Sequence, residues 1–123
     1  MTLEKAKEIL DKNALCKEGS LRQSICENCC FSEEYFWELY DSLITLAEDA
    51  RRSKITAIDT AKMLAVYDRI LEMFSLHLEP NEDVEILDLP EDFSDHLDRL
   101  EAAIRFYLDG EPIDEDGFSL QRP

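Results

Sequence analysis

Apolar residues return every three or four positions along most of this chain, and that period predicts helices where a strict alternation would predict strands. Leu3, Ala6, Ile9 and Leu10 outline a short first helix with Thr2 as its N-cap. The pattern lapses near Asn13. The following Cys16-Lys17-Glu18-Gly19-Ser20 holds the only glycine of the first hundred residues and predicts a turn. Ser32 then caps a long second helix, with Glu33 and Glu34 in the first turn, where the helix dipole favours acids. Phe36, Leu39, Tyr40, Leu43, Leu46, Ala47 and Ala50 form its broad apolar stripe, and Arg51 and Arg52 stand at the end that favours cations.

A third helix is predicted from Thr56 to about Leu78, with Asp59 as an acidic variant of the capping box. Leu64, Leu71 and Leu78 repeat every seven residues, and Met63, Tyr67, Ile70 and Phe74 fill the same side, so a seam packed along most of the helix is expected. The short link Ser53-Lys54-Ile55 makes the second and third helices antiparallel neighbours. Pro80 ends the third helix, and Val84, Ile86, Leu87 and Leu89 alternate with acids in a linker that predicts a short extended segment. Pro90 suits the first turn of a fourth helix, striped by Phe93, Leu97, Leu100, Ile104, Tyr107 and Leu108 and closed by Gly110. The expected architecture is all-α: residues 1–110 form a single compact bundle of one short and three longer helices, and residues 111–123 form an acidic, flexible tail.

Composition agrees with one compact domain. A chain of 123 residues buries roughly two thirds of its unfolded surface. A hydrophobic content of 45% with only seven Gly and Pro residues argues against a disordered or fibrous chain. The N-terminus is charged and amphipathic, without the apolar core of a secretory signal, and no apolar run approaches a membrane span, so a cytoplasmic protein is expected.

Charge changes the picture more. The formal net charge is −16, and it is unevenly distributed. Residues 1–78 carry 14 acids and 10 bases, a net of −4. Residues 79–123 carry 15 acids against Arg99, Arg105 and Arg122, a net of −12. Such a field repels nucleic-acid phosphates and anionic membranes and attracts basic protein surfaces in a salt-dependent way. Direct nucleic-acid binding is disfavoured.

Cys16, Cys26, Cys29 and Cys30 are the most specific local signal. A Cys-x-x-Cys turn presents two thiolates to one metal ion, and Cys16 supplies a third. Cys30 adjoins Cys29, which hinders both from reaching one tetrahedral centre, and His77 and His96 are the substitutes from other helices. The competing reading is four small hydrophobes packed between the first two helices. A redox role lacks the strand that usually precedes a catalytic Cys-x-x-Cys.

Other chemistry is weakly supported. His77 and His96 are remote in sequence and fit helix flanks better than catalysis, and no serine has the glycines of a nucleophile elbow. The acidic run around Asp114, Asp116 and Gly117 fails as a calcium loop, because Pro112 and Pro123 would take the first and twelfth positions. No glycine-rich phosphate loop is present. Tyr35, Phe36, Trp37 and Tyr40 read chiefly as core, with Tyr35 and Trp37 able to reach outward as interface anchors.

The leading expectation is an acidic binding protein and not an enzyme. It would occlude a basic surface of a macromolecular partner, such as a nucleic-acid-binding protein, as an inhibitor, an immunity-type antagonist or a mimic of nucleic-acid charge. Asp83, Glu85, Glu91, Asp92, Asp95, Asp98 and Glu101 are its candidate partner-binding residues. No cofactor is required by this reading. The alternative is a structural or assembly module in which zinc on the four cysteines pins the first helix, with a homodimer through Leu64, Leu71 and Leu78 where the bundle leaves that seam uncovered.

Overall fold

The computed structural model describes residues 1–123 as an all-helical bundle. Its elements are α1 (Leu3–Ala14), α2 (Leu21–Cys26), α3 (Glu33–Arg52), α4 (Ala57–Leu78) and α5 (Phe93–Asp109), with a 3-10 turn at Glu115–Gly117. Four helices start as the hydroxyl residues before them dictate. The side chains of Thr2, Ser20, Ser32 and Thr56 accept hydrogen bonds from the backbone N–H of Lys5, Gln23, Tyr35 and Asp59, pairing donors that the first helical turn leaves free.

α2 is an element that the periodicity does not predict. It has six residues and buries Leu21, Ser24 and Ile25, too short a segment for a repeat to declare itself. α5 also begins later than Pro90 suggests: Asp92 is its N-cap and makes no side-chain capping bond, while Gly110 ends it with a left-handed φ of 78°. A side chain at Gly110 would both strain the backbone and run into the Arg51 guanidinium.

α3 is the central helix and packs most extensively on α1 and α5, while α4 lies against α1 and α2 and touches α5 more lightly. Phe36, Tyr40 and Ala47 of α3 are fully buried, joined by Leu10 of α1, Ile70 of α4 and Ala103 of α5. The ends of three helices are pinned together: Arg51 donates to the Tyr107 carbonyl, and the Tyr107 hydroxyl accepts from the Thr56 backbone N–H at 2.7 Å. The C-terminus of α5 therefore sits at the start of α4, so these two helices run antiparallel.

The seven-residue leucine seam does not face the core. Leu64, Leu71 and Leu78 are 50%, 37% and 64% exposed, and the buried face of α4 is Met63, Val66, Ile70 and Phe74. A strict seven-residue repeat drifts by roughly 20° per heptad on a straight helix. Leu64 lies on the flank towards α5, where it lines a groove with Tyr67, Ile104 and Leu108.

The linker does form an extended contact, an isolated parallel bridge between Leu87 and Cys30. Leu87 donates to the Cys29 carbonyl and accepts from Phe31 N–H, while Ile86 is buried and its N–H donates to His77 Nδ1 at 3.0 Å. Residues 111–123 fold back on α3 and α5 around one buried side chain, Arg99. No helix is long and apolar enough to cross a membrane.

Candidate functional site

The acids of the C-terminal third fall into two classes. Glu101 pairs with Arg105 at 3.2 Å, and Glu115 pairs with both Arg99 and Arg122. Asp83, Glu85, Glu91, Asp92, Asp95 and Asp98 form no ion pair with any base of the chain. All six are exposed except Asp95, which is half-buried in the first turn of α5 and complements its dipole. Arg122 is held by Asp41 at 2.8 Å. The three bases of this region are thus all engaged within the chain, and its excess negative charge is left facing solvent.

The structure brings Asp98 and Glu101 together beside Tyr67 of α4. Burial pushes the Tyr67 phenol above its ordinary pKa, and the Glu101 and Asp98 carboxylates push it the same way. Asp83 and Glu85 lie in the linker, and no contact joins them to the α5 acids. The candidate residues form a discontinuous acidic surface, not a convergent pocket.

The four cysteines are all free thiols, and they divide between places. Cys16, just beyond α1 with φ of 54°, and Cys26, the last residue of α2, line one cleft with Glu27, and the Cys16 thiol lies 3.7 Å from the Glu27 carboxylate. Cys30 points to Asp88 at 3.7 Å, and Cys29 adopts a φ of 50° beside the bridge to Leu87. No group of three His, Cys, Asp or Glu side chains is placed to hold a metal ion. Cys26 ends α2, and Cys29 follows it in the link to α3. Burial raises the pKa of the Cys16 and Cys26 thiols. Glu27 adds to the effect at Cys16, as does Cys16 at Cys26. In these surroundings both thiols favour their protonated form, and the thiolate is the nucleophilic species.

No protein-family model, curated protein or solved structure matches this chain. Its function has to be argued from its own residues.

Two polar clusters were not anticipated from sequence. Arg99 is 0% exposed. Its Nε donates to the Leu120 carbonyl at 2.9 Å, and Nη1 donates to the Tyr40 hydroxyl and to Glu115. The guanidinium packs between Trp37, Tyr40 and Phe118, 4.4 Å from the Phe118 ring centre. Arg122 stacks on the same Trp37 and Tyr40 rings from the tail. The second cluster centres on His96, which is 3% exposed, sits edge-on to Phe31 and Phe36, and lies 2.9 Å from the Glu33 carboxylate. A signal for both was present: His96, Arg99, Leu100, Ala103 and Tyr107 share a helical face, and Phe118 and Leu120 are apolar residues in an acidic tail.

Proposed function

We propose that this chain is an acidic protein-binding module that covers a basic surface of a macromolecular partner, acting as an inhibitor, an antagonist or a mimic of nucleic-acid charge. The observation that carries this reading is the division of charge in the C-terminal third. Arg99, Arg105 and Arg122 are consumed by Glu115, Glu101 and Asp41, whereas Asp83, Glu85, Glu91, Asp92, Asp95 and Asp98 have no cation of their own.

Exposed carboxylates without counter-charges repel one another, and a basic surface brought against them relieves that repulsion. Long-range attraction of this kind accelerates encounter and disfavours anionic partners, while close pairing fixes the register of the complex. The helical bundle supplies a rigid support for Asp95, Asp98 and Glu101, which stand on α5 at spacings of three residues.

The test is charge reversal at Asp95, Asp98 and Glu101, measured as affinity for a basic partner recovered from lysate. Asp98 and Glu101 are exposed and Asp95 is half-buried in the first turn of α5, so the circular dichroism of the triple variant is recorded beside its affinity. The reading predicts a loss of affinity that shrinks as salt rises. Unchanged, salt-insensitive binding by the triple variant would remove the acidic surface from the account.

A further inference from the structure

On α4, Leu64, Leu71 and Leu78 stand exposed at successive two-turn intervals, and Leu64 faces α5. From Leu64 to Leu78 they extend about 21 Å, at 1.5 Å per residue. The floor beside them is also apolar: Leu64, Tyr67, Ile104 and Leu108 line a groove between the two helices, with Glu101, Arg105 and Asp109 at its edge. Asp98 and Glu111 extend that edge into the adjoining cleft. Arg105 is tied to Glu101, and Arg69 on the other side of α4 is tied to Glu72. Asp68, exposed and without an ion-pair partner, falls between Leu64 and Leu71.

We infer that the α4–α5 groove docks an amphipathic basic helix of the partner, with its apolar residues against Leu64, Tyr67 and Leu71 and its lysines or arginines against Asp68, Asp98 and Asp109. This rests on the acidic-module reading and places part of the contact. An apolar strip on a helix pair takes a complementary helix through residues spaced three, four and seven apart. The acidic edge selects the charge of that helix. A second copy of this chain fits poorly, because it brings another net −16 to the contact and buries Asp68 without a cation.

The probe is a synthetic helical peptide of about 18 residues, five turns long, with leucines along one face and lysines elsewhere. The control replaces its leucines with serine and keeps its charge. The groove predicts that the leucine peptide binds one to one and that the serine peptide binds far more weakly. Leu64→Ser with Leu71→Ser, both at exposed positions, is predicted to weaken the leucine peptide by about tenfold or more while leaving the circular dichroism unchanged. Asp68→Lys weakens it as well.

Equal binding of both peptides, or undiminished binding by the double variant, overturns the groove and leaves the acidic reading standing. Failure of both peptides to bind overturns both. Self-association of the wild-type chain that the same two substitutions abolish assigns the seam to a second copy and overturns the docking of a basic helix.

Discussion

Arg99 on α5 and Glu115 in the C-terminal segment form an ion pair in which the guanidinium is wholly buried and the carboxylate is about half exposed, at 46%. The pair fixes residues 111–123 to the bundle. It does so with help, since the same guanidinium reaches the Leu120 carbonyl and the Tyr40 hydroxyl. A buried charge in this position is tolerated because Nε and Nη1 have partners and aromatic rings face the guanidinium, although the buried Nη2 has no hydrogen-bond partner.

Removing the carboxylate should therefore release the segment. Glu115→Gln is expected to cost about 1–2 kcal/mol, the range for a charged hydrogen bond at a partly exposed site. The measurement is hydrogen exchange: amides around Glu115–Gly117 lose protection first, while those of α3 are unchanged. Arg99→Met keeps volume but deletes the hydrogen bonds of Arg99 to both Glu115 and the Leu120 carbonyl, leaving the Arg122–Asp41 pair, and should release the segment further with a helical bundle still formed.

The same pair sets an acid dependence. Partial burial works to raise the Glu115 pKa, but the hydrogen bond and charge of Arg99, with Arg122 behind them, outweigh it and hold the carboxyl below its ordinary 4.5. A carboxyl lowered by folding stabilises the folded state above its unfolded pKa, and that stability disappears as pH falls through the folded value. Docking of residues 111–123 is thus expected to be constant above about pH 5 and to weaken below the ordinary glutamate range. Trp37 emission reports it, because Arg122 stacks on that ring. A profile for Glu115→Gln that retained the same acid transition would assign it to another group.

Stability should distinguish the two kinds of apolar residue on these helices. Phe36 is fully buried, and Phe36→Ala is expected to cost about 3–5 kcal/mol. Leu64→Ser, at an exposed position, should stay within about 0.5 kcal/mol. Urea unfolding of the two variants checks the assignment of core and groove. A large cost at Leu64 would mean that the α4 flank is structural.

These two residues also mark how far the sequence could be read. The Phe36 stripe was legible because charges flank it on both sides and the helix has only one apolar face. The α4 helix has apolar residues over a wider arc, so periodicity alone could not separate the buried Met63, Val66, Ile70 and Phe74 from the exposed leucines. Hydroxyl N-caps fixed the starts of α1, α3 and α4, while α2 was too short to show a period. The acidic surface was legible as net charge, but which acids lack a cation depended on where Arg99, Arg105 and Arg122 turn. Arg99 was the least legible of these, since its burial depends on Trp37, Tyr40 and a segment some twenty residues away.

Thiol reactivity gives a separate check on the cysteine geometry. With the pKa values of Cys16 and Cys26 raised by burial and by neighbouring groups, alkylation at neutral pH should run slower than for an unstructured thiol. Glu27→Gln should accelerate the reaction at Cys16, whose carboxylate neighbour it removes. Rapid labelling of Cys16 and Cys26 in the folded protein would contradict the surroundings described.

The most direct test of the central claim is capture of partners by the full chain from its native lysate, at low and at high salt, with the captured protein identified and its stoichiometry measured. The account predicts one stoichiometric partner with a basic surface, retained at low salt and released at high salt, where the Debye length falls to about 3 Å. Recovery of the chain alone under both conditions, or of a partner without a basic surface and indifferent to salt, would contradict it.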